Sequence, residues 1–453
     1  MSDQHLLSVN IPESDLPRVV IIGGGFGGIR MVKHLDNTKY QVVLLDRYNY
    51  HTFQPLLYQV ATAGLEPDSI AGPLRKVTKH HKNTYFRMLK VNRIDPENKT
   101  LQTSAGQLHY DYLVVATGAR INYFGNKSIA EHGFPVKQVT HALDLRSHIF
   151  QQFEKSEFLT DAKEKERLMT FVVVGAGPTG VEVCGALAEL KNNVLPKDYP
   201  QLDMNSMRIF LIEGEDRVIP AMSGKSGNTA RKYLEKMGVQ IILKCRTTSY
   251  DGKVVHLDNG QEIESETLIW AAGVRGNLIK GFGENSVSKG KIHVDDTNHV
   301  FRNFEEKETY DCIFAIGDIA FMHHKKYPGG LPGLAQPAIQ QGTQLAKNLN
   351  NIARGKKMKT FKYLNKGVLA TVGRNKAVAD LPGNIKLSGM VGWMIWMVVH
   401  LLFLIGFRSK AVVFANWSWN YITYDRGIRL ILRPSSKKND TVSKEMIEEM
   451  LER

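Results

Sequence analysis

Cysteine is scarce: Cys184, Cys245 and Cys312 are the only three in 453 residues. They lie far apart, with neither a C-x-x-C pair nor metal-ligand spacing. That pattern excludes a disulfide framework, offers no metal centre and suits a reducing compartment. A balance of charge is also missing, since 59 Lys and Arg face 45 Asp and Glu for a net charge of +14. The excess points to an anionic partner. No RRM, KH, zinc-finger or homeodomain signature accompanies it, so the common nucleic-acid modules are excluded and an anionic membrane surface is favoured. Hydrophobic residues make up 43% of the chain, an ordinary share that excludes a polytopic membrane protein. Residues 1–17 carry acids and no apolar segment, so neither a signal peptide nor a basic transit peptide is read there. The expected location is the cytoplasm, and the length predicts two or three domains.

What the chain does contain is glycine in two telling places. Residues 19–22 form a short, apolar, β-branched run that reads as a buried strand. Gly23, Gly25 and Gly28 follow in the spacing G-x-G-x-x-G, with Phe26 and Gly27 between them. Residues 29–35 continue with helical spacing, and a second buried strand at 41–45 ends on Asp46. Each part has a job at a dinucleotide. Glycines let the backbone turn tightly against a pyrophosphate, the helix N-terminus supplies free N–H groups, and the acid accepts from ribose hydroxyls. Strand, turn, helix, strand and acid in that order identify a dinucleotide site. Residues 47–59, including Arg47 and Gln54, are dense in aromatics and amides. They either run back over a cofactor or pack on the core. Residues 112–118 read as a strand ending on Thr117-Gly118, where chain can pass close to a cofactor.

A second fingerprint follows a charged, helical segment at 143–167. A strand at 171–174 leads into Gly175, Gly177, Pro178, Thr179 and Gly180, again G-x-G-x-x-G, and a helix at 181–190 carries Glu182 in its first turn. The strand at 208–212 ends on Glu213, well past the usual ~20 residues after the first glycine. The spacing predicts a loop insertion at 192–207, marked by Pro196 and Pro200. A carboxylate at 213 repels a 2′-phosphate, which favours NADH over NADPH; Arg217 nearby is the opposing feature. Two such motifs imply two dinucleotides, a nicotinamide and a flavin, because a hydride needs an acceptor. Residues 267–273, ending in Ala272-Gly273, repeat the 111–118 pattern and point to two related halves. Gly317-Asp318 closes a further strand, where the acid either bonds a flavin ribityl chain or caps a helix beginning after it.

Gln336 and Gln340 are four residues apart on one helix face. Neutral donors and acceptors so placed suit a quinone carbonyl or, equally, a satisfied helix–helix contact. Lys376 stands in an apolar strand and either pairs with a carboxylate or sits near a reduced flavin or quinone. Residues 387–407 are almost wholly apolar and long enough to cross a bilayer. Beyond them, Trp417, Tyr421, Tyr424, Ile428 and Ile431 share one helical face, with Arg426, Arg429 and Arg433 opposite, the pattern of an in-plane interfacial helix. A spanning helix plus a surface helix, a monotopic anchor built from both, and ordinary core are the three readings.

Over residues 17–433 these motifs together resemble the type II, non-proton-pumping NADH:quinone oxidoreductases, flavoproteins of the two-dinucleotide-binding, disulfide reductase-like superfamily. The two fingerprints are common to the superfamily, whereas the Ala-Gln-x-Ala-x-Gln run at 335–340 and the apolar C-terminus are specific to this branch. The resemblance implies an α/β fold of two Rossmann-like domains with a C-terminal helical membrane-attachment region. It implies one non-covalent FAD against Gly23, Gly25, Phe26, Gly27, Gly28, Asp46, Arg47, Gln54, Thr117, Gly118, Gly317, Asp318 and Ala335. NADH would lie against Gly175, Gly177, Pro178, Thr179, Gly180, Glu182, Glu213, Ala272 and Gly273. A quinone would lie at Gln336, Ala338, Gln340 and Gln341, with Gln336, Gln340, Lys376 and Glu182 serving the chemistry. The implied domains are 1–130 with 291–386 for FAD, 131–290 for NADH, 387–433 for anchoring and 434–453 as a charged tail. Monotopic attachment to an anionic lipid surface on the cytoplasmic face, and a homodimer, complete the expectation. The expected reaction passes hydride from NADH to FAD and then reduces a membrane quinone to quinol without pumping protons.

Three rivals are weaker. A dithiol–disulfide reductase needs a cysteine pair beside its flavin, and residues 47–60 contain none. Sulfide:quinone oxidoreductase, the main alternative, shares the flavin half and the membrane attachment but has no use for an intact second fingerprint. A non-enzymatic redox scaffold would leave two complete cofactor motifs without turnover.

Overall fold

The structure, a computed structural model, describes residues 7–424 and 427–432. Contacts divide the chain into two units: one holds the described residues up to His51 with Gly72–Arg120 and Val274–Asn365, the other Thr52–Ala71, Ile121–Gly273 and the described residues from Lys366 on. These boundaries cut the chain at places other than the cofactor-based division expected from the sequence.

The first unit is built on a parallel core in the order Thr84–Met88, Gln41–Asp46, Arg18–Ile22, Tyr112–Val115, Glu308–Ala315, extended by antiparallel strands to Val287–Ser288. Val19, Val20 and Ile21 are wholly buried, as a central strand covered on both faces requires. The helix Phe26–His34 leaves the end of Arg18–Ile22 and lies against the helix Ala335–Ile352. Their approach is close: a Cβ on Gly342 would stand 2.5 Å from the Gly27 carbonyl oxygen.

The second unit repeats the plan with five parallel strands, Phe134–Pro135, Thr267–Trp270, Thr170–Val174, Arg208–Ile212 and Val239–Ile242. The helix Pro178–Glu189 follows the central strand. Its Gly185 meets the antiparallel sheet Val368–Gly373, Lys376–Leu381, Ile385–Ser388 so closely that a Cβ there would lie 1.8 Å from the Val372 carbonyl oxygen. The expected loop insertion at 192–207 is mostly helical instead. The chain winds on through a π turn at Leu190–Val194 and a short helix at Leu195–Asp198, and Pro196 is accommodated in the first turn of that helix, where its missing N–H costs nothing.

The apolar run at 387–407 is not one helix. Its first residues finish the strand Ile385–Ser388; a helix covers Gly389–Phe403, and Gly406 at φ 87° turns the chain into a second helix, Phe407–Thr423. Hydropathy carries no mark of a positive-φ break, which is why the run read as continuous. Among the described residues no helix is long and apolar enough to cross a membrane. Trp396 lies tilted against Trp417 at 5.5 Å and Trp393 stacks on Tyr421 at 5.4 Å, which pairs the two helices. Met390, Met394, Val398 and Leu402 on the first, and Phe407, Phe414 and Ile422 on the second, remain exposed. The expected helical face through Ile431 stops early. Tyr424 adopts φ 59° and ends the helix, so Ile428, Arg429 and Ile431 lie in irregular chain, while Arg426, Arg433 and the tail at 434–453 lie outside the described residues.

Candidate active site

The two glycine loops are duplicates in detail. In the first, the Gly23 N–H donates to the Leu45 carbonyl at 2.8 Å; in the second, Gly175 N–H donates to Ile212 at the same distance. Gly23 has φ +113°, and a Cβ there would lie 2.3 Å from the Ala116 carbonyl oxygen. Gly175 has φ +100°, and its Cβ would meet Ala272 at 2.7 Å. The strand ends at 116–118 and 271–273 therefore press on the loops as the small residues there foretold. Each helix also sits against its own loop through its third glycine: a Cβ on Gly28 would stand 1.9 Å from the Gly23 carbonyl oxygen, and one on Gly180 1.8 Å from that of Gly175. Gly25 and Gly177, the residues just before each helix, face open space. One side of each loop is thus packed shut and the other left clear for a phosphate at a helix N-terminus.

The acids close onto the loops in the same way. Asp46 accepts from the Gly24 N–H at 2.6 Å, and Glu213 accepts from the Ala176 N–H at 2.6 Å; a second main-chain N–H binds the other oxygen of each, from Tyr48 and Glu215. Carboxylate lone pairs remain for ribose hydroxyls. Burial raises the pKa of Asp46, and these N–H donors work against the rise. Above the first loop, His51 rests edge-on against Phe26 at 4.9 Å, its Nδ1 on the Gly24 carbonyl and its buried Nε2 without a partner. Burial lowers its pKa to about 4, so it is neutral. An open glycine cradle, an acid at the strand end and an unsatisfied imidazole nitrogen fit a bound flavin dinucleotide.

The other residues expected on the flavin side are spread along the chain. Thr117 donates to the Asn277 carbonyl at 2.8 Å, and Gly118 has φ +65°. Arg47 lies 5.5 Å from the Tyr48 ring centroid. Gln54, in the second unit, accepts from Lys137 Nζ at 3.1 Å. Asp318 lies inside the short turn Gly317–Ile319, which leads into the strand Ala320–Met322, so the helix it was thought to cap does not exist.

The glutamines divide their labour. Ala335 opens the helix Ala335–Ile352, on which Ala338 packs beneath Gly317. Gln341 is 1% exposed; its Oε1 accepts from the Gly317 N–H at 2.8 Å and its Nε2 donates to Asn298 at 2.9 Å. Gln340 exchanges two hydrogen bonds with the main chain of Leu364, at 2.9 and 3.0 Å. Of these three glutamines, Gln336 is the one that keeps a buried Oε1 with no partner. Of the pair expected to hold a quinone head group, one is occupied in strapping down residue 364 and the other is free.

In the second unit, Glu182 is buried on the helix Pro178–Glu189, two residues after Gly180. With Thr371, Trp396, Trp417, Tyr58 and Tyr421 it lines a cavity of about 110 Å³. Trp417 donates to Gln59 at 2.8 Å on the same wall. Burial pushes the carboxyl of Glu182 well above its ordinary value of 4.5, against the weaker pull of the Thr371 main chain and then of Trp396, whose buried indole nitrogen has no hydrogen-bond partner. Burial thus favours the protonated form of this acid among the aromatic rings. Lys376 lines a polar cleft that shares Glu189, Arg374 and Tyr424 with this cavity. Phe124 covers Gly273, where a Cβ would meet its ring at 2.5 Å.

Comparison with known proteins decides the family. The model for pyridine nucleotide-disulphide oxidoreductases matches residues 17–342, and that for the NDH2 C-terminal domain matches 365–424. A type II NADH:quinone oxidoreductase of Mycobacterium tuberculosis is 35% identical over 423 residues, covering 90% of this chain and 89% of its own. This chain belongs to the type II NADH:quinone oxidoreductases. A member from Staphylococcus haemolyticus is 29% identical over 82% of this chain and 90% of its own. The fold is that of NDH2 from Plasmodium falciparum, solved with NADH, at a TM-score of 0.84 and 21% identity over 92% of this chain and all of that one. A sulfide:quinone oxidoreductase from Aquifex aeolicus, the main rival, is more distant at a TM-score of 0.68 and 20% identity over 90% of this chain and 94% of its own. Within this type II enzyme, sequence reasoning missed the aromatic cavity as a unit, although the aromatics at 47–59 and 417–421 were its visible signal.

Proposed function

We propose that this type II NADH:quinone oxidoreductase works by two half-reactions, NADH oxidation and quinone reduction, linked by a flavin that the first glycine loop would hold. The reading rests above all on the duplicated glycine loops, each closed by its own acid. Bound at Gly23–Gly28, FAD supplies a two-electron carrier that accepts hydride from NADH and gives electrons to a quinone. The residues Gly175–Gly180 would seat the NADH pyrophosphate, and Glu213 would hold the adenosine ribose. Positioning is the protein's main contribution, since orientation alone can supply several kcal/mol of a barrier. Glu213→Arg should then turn the preference from NADH to NADPH by about tenfold or more in kcat/KM; unchanged NADH selectivity would remove that acid from the ribose site.

On the quinone side, the free Gln336 Oε1 accepts from a reduced head group, whereas Gln340 and Gln341 shape the site by holding residues 364 and 317. Gln336→Leu should slow reoxidation of the reduced enzyme by quinone by about tenfold or more while NADH still reduces it at the normal rate. Gln340→Leu should instead lower the melting temperature, by the equivalent of roughly 1–2 kcal/mol. Equal kinetic losses in the two variants would contradict this division. In the second unit, burial favours the protonated form of Glu182, the form able to give a proton, and its aromatic surroundings suit a planar apolar ring. Attachment to a lipid surface through the exposed faces of Gly389–Phe403 and Phe407–Thr423 places the enzyme where membrane quinone is found, and the positive net charge favours an anionic leaflet.

A further inference from the structure

Adjoining the aromatic cavity, and sharing Glu189, Arg374 and Tyr424 with it, the second unit carries a polar cleft of about 290 Å³. It is bordered by Glu189, Asn192, Asn193, Arg374, Lys376 and Tyr424. Arg374 and Lys376 stand at the turn joining Val368–Gly373 to Lys376–Leu381, with Asn375 between them at φ 60°. The Arg374 guanidinium carbon lies 3.9 Å from the Tyr421 ring centroid and 4.2 Å from that of Tyr424. Its Nη1 is sealed off without a hydrogen-bond partner. Among the described residues, neither Arg374 nor Lys376 forms an ion pair. The acid on this cleft, Glu189, is turned to the main-chain N–H of Arg374. Two cations against one carboxylate leave the cleft positive, and the aromatic rings hold the guanidinium in place.

A clamped arginine with a lysine beside it is the donor set of a phosphate site. The cleft's position narrows the source of that phosphate. Tyr424 ends the helix Phe407–Thr423, where Ile422 is 78% exposed and Trp419 60% exposed, and the chain beyond exposes Leu430 and Leu432. The polar cleft therefore opens onto apolar surface. We propose that it binds the phosphate of a glycerophospholipid whose acyl chains lie along the exposed faces of the two C-terminal helices. The site rests on the membrane attachment proposed above and adds to it a specific headgroup contact.

The test separates phosphate recognition from bulk charge by using two uncharged surfaces. The FAD-loaded, full-length protein is floated with vesicles of phosphatidylcholine and phosphatidylethanolamine, and with vesicles of neutral galactosyl diacylglycerols that contain no phosphate. Binding to the phospholipid should be about tenfold tighter. Lys376→Gln and Arg374→Lys should each remove most of that preference while leaving glycolipid binding unchanged; flavin absorbance of both variants checks that they fold. Equal binding to the two surfaces would overturn the headgroup site and leave membrane attachment standing. Binding to neither would remove the attachment reading, and the site with it. Loss of the preference in millimolar glycerol phosphate would assign the cleft to a free phosphate ester and overturn the lipid assignment.

Discussion

Gly180→Ala should cut NADH oxidation severely without emptying the flavin site. A methyl group at this position would stand 1.8 Å from the Gly175 carbonyl oxygen, a main-chain atom rather than the far end of a flexible side chain. The helix Pro178–Glu189 must then lift from its loop, carrying away the N–H groups that face the open side at Gly177. A displacement near 1 Å in a positioning element costs on the order of 10²-fold in rate. The expected result is a fall in kcat/KM for NADH of about that size or more, with the flavin-to-protein ratio unchanged. Enzyme reduced chemically should still be reoxidised by quinone at the normal rate. The mirror variant, Gly28→Ala, places a Cβ 1.9 Å from the Gly23 carbonyl oxygen and should yield colourless protein. Loss of flavin from Gly180→Ala, or retention of flavin by Gly28→Ala, would contradict the assignment of the loops.

Glu182→Gln should make the enzyme more resistant to alkali. Burial raises the pKa of Glu182 in the folded protein well above the 4.5 it has when exposed. Its contribution to stability is complete below the ordinary value and is lost as pH rises through the raised folded value. Between those two values the unfolded chain has released the proton and the native protein has not, so stability falls by about 1.4 kcal/mol per pH unit. Glutamine keeps the shape and hydrogen-bonding capacity of the neutral acid without the titration. Melting temperatures of the flavin-loaded wild type and variant, measured from pH 5 to 9, should diverge as pH rises, with the variant the higher. Parallel curves would mean that Glu182 is ionised in the folded protein, and its proposed proton-donating role would go with them.

The loops were legible in the sequence because everything that makes them is local. A β-branched strand, three glycines, a helix and an acid at the next strand end occupy a few dozen residues, and each glycine fills the place its spacing implied. The division of the glutamines was not legible. Gln340 is satisfied by Leu364 and Gln341 by Gly317 and Asn298, partners far away in sequence, and helix spacing alone gives Gln336 and Gln340 equal standing. The break at Gly406 escaped for another reason: one positive-φ glycine inside an apolar run looks like any other residue in a hydropathy average. Helical spacing likewise carried the amphipathic face past Thr423, because nothing in the identity of Tyr424 signals a left-handed residue. The aromatic cavity around Glu182 draws its walls from residues near 58, 182, 371, 396 and 417, and only the folded chain brings them together.

The most direct test of the account is an anaerobic titration of the purified protein followed by flavin absorbance, with NADH added first and a short-chain quinone second. The account predicts bleaching at one equivalent of NADH and full recovery with one equivalent of quinone. Bleaching without recovery would contradict the quinone half at Gln336, and no bleaching by NADH would contradict the central claim that two dinucleotide loops pass electrons through one flavin.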